Sequence, residues 1–174
     1  MARVRSRDAV AFRVLVDRHV VVLHRIAYRM IGDAAEAEDI AQEALLRLWH
    51  DADRWQAGMS GTGAWLNRVV VNLCLDRLRK QRFSSDAEVP DRADDAVLAP
   101  ETIDAARMRA ATVAAIAALS DRQRAAVVLT YYEEVSNQVA AETMDMNIKA
   151  FESLLLRART ALRAALTPIK EATL

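Results

Sequence analysis

Glycine and proline are scarce in this chain of 174 residues, which holds four of one and three of the other. With few turn formers and an abundance of alanine, leucine, arginine and glutamate, the composition predicts an all-helical protein with few loops. No apolar run is long enough to cross a bilayer, and we expect no signal peptide at the charged N-terminus. The single cysteine, Cys74, cannot form an internal disulfide, so the expected compartment is a reducing cytoplasm.

The net charge of the chain is zero, because 24 Lys and Arg balance 24 Asp and Glu. The charge is unevenly distributed: the net value is +4 over residues 1–82, −6 over 83–104 and +2 over 105–174. The acidic strip holds two of the three prolines and lacks helical periodicity. Because roughly twenty structureless residues are unusual inside one compact domain, the strip is predicted to be a flexible linker between two helical domains.

Residues that start and end helices divide the first basic block, residues 1–82, into three predicted helices. One apolar stripe predicts a helix that ends at Gly32, since glycine tolerates the left-handed conformation after a helix. Asp33, followed by Glu36, has the pattern of a capping box that starts a second helix. A third helix is predicted over Ala64–Arg82, with Thr62 as its N-cap.

Similar signals divide the second block. A helix is predicted over Ala105–Leu119, and Ser120 with Gln123 forms a capping box that opens the next one. Ser136 is placed to cap a short helix, and Asn147 to cap a long final one. A short helix, a tight turn and a longer helix have the spacing of a helix-turn-helix.

An acidic face lies on the second helix of the first block. Asp39, Gln42 and Glu43 share this face, and Leu46 follows one turn later. With Arg47 beside it, the face suits a basic partner helix. A merely solvated helix face would show the same pattern.

The segments Glu38–Trp49 and Ala64–Asn72, with a basic run after them, resemble region two of extracytoplasmic-function (ECF) RNA polymerase sigma factors of the sigma-70 superfamily. The segment 136–159 is similar to region four of the same family, a helix-turn-helix. The implied fold is all-α, with two small helical domains joined by the acidic linker.

The resemblance also assigns the domains. Residues 1–82 would bind core polymerase and recognise and melt the −10 element, residues 83–104 would be the linker, and residues 105–174 would read the −35 element. In this family the first of the matched helices contacts the clamp helices of the largest polymerase subunit. The matching positions here are Asp39, Gln42, Glu43, Arg47 and Trp49.

The helix over Ala64–Arg82 is expected to face the promoter and contact its −10 element. Its later turns are basic and suited to neutralising phosphates, although ordinary surface charge would look the same. The family captures an unstacked base near Asn72. The candidate −10 residues are Arg68, Asn72, Asp76, Arg77, Arg79, Lys80 and Arg82. For Trp65, packing in the core is favoured over stacking on a base.

The final helix is the expected −35 reader. The candidate residues are Ser136, Asn147, Lys149, Ala150, Glu152, Ser153 and Arg157. Asp145 stands where the family usually turns on glycine, and Val139 replaces the usual acidic residue after the cap. Glu152 lies where many members have a basic or polar residue, which indicates either cytosine readout or weak attraction to phosphate.

No catalytic or metal-binding pattern is present in the sequence. His19, His24, His50 and Cys74 lack the spacing of a metal site, and there is no nucleophile–base pattern or glycine-rich phosphate loop. We therefore expect no enzymatic activity, no metal, no cofactor and no small-molecule substrate.

The resemblance implies a sigma factor that binds core RNA polymerase and promoter DNA, in a stress or envelope response under an anti-sigma factor. Whether that partner is membrane-bound stays open. One alternative is a sigma-like decoy that binds a regulatory protein without binding DNA. Such mimics carry a signalling domain and lose their basic DNA-facing residues; we expect no such domain, and the basic run 77–82 is intact. A stand-alone helix-turn-helix regulator would leave the first domain unexplained.

Overall fold

The computed structural model describes residues 1–54, 61–84 and 103–171, so nearly all of the predicted linker lies outside the described residues. Within those ranges the chain is helical and contains no strand. The helices are α1 (Ala2–Arg5), α2 (Ala9–Ile31), α3 (Ala34–His50), α4 (Gly61–Ser84), α5 (Ile103–Ala117), α6 (Asp121–Val127), α7 (Asn137–Thr143) and α8 (Ile148–Glu171). A 3₁₀ turn over Asp51–Arg54 follows α3, and a π-helical turn over Val128–Tyr132 extends α6.

Helices α2, α3 and α4 pack around one apolar core in the first half of the chain. Each contributes one buried stripe, which agrees with the periodicity of the sequence. Fully burying a side chain of this kind stabilises the fold by about 1.5–3 kcal/mol. The largest buried side chains here are Leu23, Ile26, Met30, Leu48, Leu66, Val70, Val71 and Cys74.

The turn between α2 and α3 has the predicted geometry. Gly32 adopts φ 84°, and its N–H donates to the carbonyl of Tyr28 at 2.8 Å. The Asp33 carboxylate accepts from the N–H of Glu36 at 2.8 Å, which confirms Asp33 as the N-cap of α3. The Glu36 carboxylate, expected to turn back to the cap, contacts α4, where it accepts from Gln81 at 3.2 Å and lies 3.5 Å from the Arg77 guanidinium. Glu36 therefore ties α3 to α4.

The start of α4 corrects one sequence prediction. The helix begins at Gly61, which has φ 70°, so Thr62 lies in its first turn and is not its N-cap. The left-handed backbone at Gly61 favours glycine at this position.

Local capping also defines the helices of the second half. The N–H of Ser120 donates to Gln123 Oε1 at 3.1 Å, and the Ser136 hydroxyl accepts from the N–H of Val139 at 3.3 Å. Asn147 Oδ1 accepts from the N–H of Ala150 at 2.9 Å. The three predicted caps are thus confirmed, and α7 and α8 form a helix-turn-helix.

The two halves are in direct contact through Arg124 of α6, which is only 5% exposed. Its guanidinium donates to the carbonyl of Met30 at the end of α2, at 2.6 Å, and to the carbonyl of Ala117 at the end of α5, also at 2.6 Å. One basic side chain therefore holds the carboxyl ends of two helices from different halves.

The N-cap of α3 gives a first prediction. Replacing Asp33 with alanine removes the acceptor for the Glu36 N–H, so the free energy of unfolding should fall by about 1 kcal/mol. Urea denaturation followed by circular dichroism measures this change. Asp17→Ala, at an exposed position within α2, is the matched control and should have little effect. Equal stability of Asp33→Ala and the unsubstituted chain would contradict the capping role.

Candidate functional site

The outer face of α3 is acidic with an apolar centre. Asp39, Gln42 and Glu43 are exposed, and the Leu46 side chain beside them is 50% exposed. Arg47 at the edge of this face is held by Glu43, whose Oε1 lies 2.8 Å from Arg47 Nε. The opposite face of the helix is buried against α2 and α4, so these five side chains are presented on a rigid support.

Trp49 differs from the other predicted polymerase contacts. It is partly buried, and its ring packs against Phe12 with a centroid separation of 4.8 Å. The Arg7 guanidinium lies 5.4 Å from the Trp49 ring and donates to the Trp49 carbonyl at 2.6 Å. In this structure Trp49 anchors the end of α3, and any contact with a partner would involve only its exposed edge.

The predicted −10 residues form one exposed strip along α4. Arg68, Asn72, Asp76 and Arg79 follow each other at helical spacing and are all exposed. Asp76 pairs with Arg79 at 2.8 Å, so its charge is partly neutralised. Of the remaining candidates, Arg77 is partly buried against α3, while Lys80 and Arg82 are exposed. Trp65 is half-buried against the core, in agreement with its predicted packing role.

Two arginines of this strip contact the second half of the chain. Arg68 lies 3.1 Å from Asp145, in the turn between α7 and α8. Arg82 pairs with Asp121 at the start of α6. The candidate −10 surface and the helix-turn-helix are therefore neighbours in this structure.

The helix-turn-helix presents most of the predicted −35 residues on the exposed face of α8. Lys149, Glu152, Ser153 and Arg157 are exposed, and Arg157 Nε donates to the carbonyl of Ser153 at 3.3 Å. Ala150 is partly buried. The other two candidates, Ser136 and Asn147, are N-caps whose side-chain oxygens already accept backbone N–H groups. Their first role is thus to fix the helix starts.

Leu156 is a surface residue that the sequence predictions missed. Its side chain is 63% exposed between Glu152 and Arg157, whereas Leu154 and Leu155 before it are buried. In a run of three leucines the exposed one is not obvious. The helical spacing of four residues from Glu152 would have identified it.

Burial shifts the pKa values of His19 and Cys74. His19 is partly buried. Burial lowers its pKa, and the charge of Arg18 lowers it further. The His19 ring packs against Gly63, where an added Cβ atom would lie 3.4 Å from the ring. Burial raises the pKa of the Cys74 thiol to about 12. Among the described residues no group of three potential ligands could hold a metal ion. In the same residues, none of the helices has the length and hydrophobicity needed to span a membrane.

Comparison with known families agrees with this architecture. The family model for Sigma-70 region 2 matches residues 15–84, and the model for Sigma-70, region 4 matches residues 109–162. The chain is 34% identical to the ECF RNA polymerase sigma factor SigL of Mycobacterium tuberculosis over 170 residues, which cover 95% of this chain and 96% of SigL. The chain belongs to the ECF sigma factors. This sigma factor is therefore a transcription initiation factor and not an enzyme.

Further similarities support the assignment. SigW of Bacillus subtilis, also an ECF sigma factor, is 30% identical over 175 residues, covering 94% of this chain and 93% of SigW. The solved structure of CnrH in complex with the cytosolic domain of CnrY superposes with a TM-score of 0.71 at 27% identity, covering 96% of this chain and 94% of CnrH. The sigma factor RpoE from Bartonella quintana, solved in complex with the anti-sigma factor NepR, has the same fold, with a TM-score of 0.73 at 23% identity over 90% of this chain and 97% of RpoE.

Burial of Cys74 predicts its reactivity. With a pKa near 12 instead of 9.0, the thiolate fraction at pH 8 falls about a thousandfold, so a thiol reagent should modify the native sigma factor very slowly. The release of thionitrobenzoate from Ellman's reagent measures this rate, and urea should restore ordinary reactivity. Thr160→Cys, at an exposed position of α8, is the control and should react at once. Rapid reaction of native Cys74 would contradict its burial.

Proposed function

We propose that the exposed face of α3 binds core RNA polymerase, that α4 engages the −10 element, and that α7 and α8 engage the −35 element. The observation that carries the proposal is the α3 face, where Glu43 and Arg47 flank the half-exposed Leu46 in sequence and Asp39 and Gln42 lie one to two turns before it. An apolar centre with a charged rim is typical of protein interfaces, because the rim orients the partner while the centre loses water.

The charge pattern of α4 supports a role in promoter binding. Its exposed strip carries Arg68, Arg79, Lys80 and Arg82, which are suited to neutralising phosphates along a strand. Asn72 lies among them, with an amide that can both donate to and accept from a base edge. The strip therefore combines affinity for the backbone with one group that reads a base.

The exposed face of α8 supports −35 recognition. In a helix-turn-helix the first turns of the second helix enter the major groove, and Lys149, Glu152 and Ser153 occupy those turns here. The Glu152 carboxylate is an exposed acceptor on this face, and it suits the N4 amino group of a cytosine. Leu156 would face the thymine methyl groups or the sugar edge beside it.

An anti-sigma factor is the proposed regulator, and the cytoplasm the proposed compartment. Two solved structures similar to this chain are described as complexes, one with the anti-sigma factor NepR and one with the cytosolic domain of CnrY. A protein that covers the α3 face would prevent polymerase binding, and this is the simplest way to hold such a factor inactive. The signal that relieves it would belong to a stress or envelope response.

Polymerase binding and transcription test the proposal together. Core polymerase supplied with this sigma factor should transcribe promoter templates, whereas a decoy would yield no transcript.

Asp39→Asn with Glu43→Gln removes two charges from the α3 face without changing side-chain size, so affinity for core polymerase should fall tenfold or more, about the effect of losing 1.4 kcal/mol. Fluorescence anisotropy measures the affinity. Asp17→Asn on α2 is the control, and unchanged affinity of the double variant would refute the docking face.

The proposed −35 role predicts that removing the Arg157 side chain lowers the affinity for promoter DNA. Arg157→Ala should weaken binding of the holoenzyme to a promoter duplex and lower the slope of log affinity against log salt by about one, as expected for one lost phosphate contact. Arg163→Ala is the control, because Arg163 is also exposed on α8 but lies beyond the residues matched to region 4. The promoter can be selected from genomic fragments by run-off transcription. Equal losses in the two variants would argue against a specific role for Arg157.

A further inference from the structure

Arg7 lies in the connection between α1 and α2, and its backbone has a conformation that arginine rarely adopts. Its φ is 58°, in the left-handed region that favours glycine and that strains a bulky residue. Strain of this kind persists only where the surrounding contacts impose it, and it is most common at functional sites. The contacts of Arg7 therefore indicate what the strained conformation achieves.

Short-range contacts fix the backbone of this connection. The N–H of Arg7 donates to the carbonyl of Val4 at 2.9 Å, and Val4 itself is only 1% exposed, so α1 is anchored on the core. On the other side of Arg7, the Asp8 carboxylate accepts from the N–H of Ala11 at 3.0 Å and caps α2. The backbone of Arg7 is thus held between two anchored elements.

The guanidinium of Arg7 contacts the carboxyl end of α3. It donates to the carbonyl of Trp49 at 2.6 Å and lies 3.5 Å from the carbonyl of His50. It also pairs with the Asp53 carboxylate, in the 3₁₀ turn that follows, at 3.0 Å. The last carbonyls of a helix have no partner within the helix and carry partial negative charge, so a cation is favoured there. Arg7 therefore caps α3 from a position 42 residues before Trp49 in the chain.

The same guanidinium restrains the Trp49 side chain. It lies 5.4 Å from the centre of the Trp49 ring, within the range of a cation–π contact. The ring also packs against Phe12 of α2, with the centroids 4.8 Å apart. Because both the carbonyl and the ring of Trp49 are held, the last turn of α3, which also carries Arg47, is ordered before any partner binds.

We propose that Arg7 is a positioning residue for the polymerase-docking face: by capping α3 it holds Trp49 and Arg47 in the arrangement that core polymerase binds. The inference rests on the proposed docking role of α3. Ordering a side chain at an interface opposes binding, and a side chain that is already ordered in the free protein avoids that cost. Loss of the Arg7 contacts should therefore weaken polymerase binding even in a chain that folds fully.

Glycine and alanine at position 7 distinguish positioning from stability. Both substitutions remove the guanidinium, but only glycine adopts a φ near 58° without strain, so Arg7→Gly should resist urea better than Arg7→Ala. Both variants should nevertheless lose affinity for core polymerase equally, by about three- to tenfold, the cost of ordering one or two side chains on binding. Fluorescence anisotropy measures the affinity. A loss of affinity in Arg7→Ala that Arg7→Gly does not share would overturn the positioning role.

Two further variants separate the contacts of Arg7 from its charge. Arg5→Ala makes the same change in net charge at an exposed position of the same segment and should leave the affinity unchanged. Arg7→Lys keeps the charge but lacks the planar fork of donors that reaches the carbonyls and Asp53 together, so its affinity should lie between those of Arg7→Ala and the unsubstituted chain. Equal losses in Arg5→Ala and Arg7→Ala would attribute the effect to charge alone and refute the inference.

Fluorine NMR reports the environment of Trp49 directly. The chain has three tryptophans, and with 5-fluorotryptophan in their place the substitutions Trp49→Phe and Trp65→Phe assign the resonances. In Arg7→Gly the Trp49 resonance should move towards its position in the unfolded chain. The Trp65 resonance should stay in place, because Trp65 packs against the core. A Trp49 resonance that does not move would contradict the restraint by Arg7.

The Asp39→Asn, Glu43→Gln pair distinguishes failure of this inference from failure of the docking face on which it rests. If the pair lowers the affinity for core polymerase and the Arg7 variants do not, the docking face stands and the role of Arg7 is refuted. If neither lowers it, the docking face itself is refuted, and the inference fails with it. Lower affinity in both, with a displaced Trp49 resonance in Arg7→Gly, is the expected result.

Discussion

The placement of the two halves depends on one buried guanidinium. Arg124 donates to the carbonyl groups of Met30 and Ala117, at the carboxyl ends of α2 and α5. Those carbonyls have no partner within their own helices and carry partial negative charge, so a cation is the favoured partner for both. A buried charge is tolerated only when it is hydrogen-bonded. The ends of α2 and α5 are joined in this way by one side chain of α6.

Polar contacts of this kind act together with apolar packing between the halves. The hydrophobic core is one cluster that includes buried residues of both halves, from Val4 in α1 to Ala158 in α8. The ion pair of Arg25 with Glu133 adds a contact whose carboxylate is removed from water, so its charge is satisfied by a partner from the other half. The two halves are therefore joined by apolar burial and by paired charges at the same interface.

The accuracy of the sequence predictions follows the range of the interactions. Caps at Asp33, Ser136 and Asn147 were predicted because each joins residues three apart, and the helices were predicted because their periodicity is local. Thr62 was wrongly placed as a cap because Gly61, with its positive φ, starts the helix. Glu36 matched a local pattern, but its carboxylate contacts residues of α4, about forty positions away along the chain.

The contacts between the halves illustrate the limit most clearly. Arg25 and Glu133 are 108 residues apart, and no periodicity or spacing in the sequence relates them. In the sequence Asp145 stands out only as a residue that replaces a glycine, and by local rules it is a poorer choice than glycine for a left-handed turn. Its carboxylate lies 3.1 Å from a guanidinium nitrogen of Arg68, a residue 77 positions earlier in the chain. An exposed turn residue thus contacts a distant side chain on the surface proposed to bind the promoter, and only the folded structure relates the two.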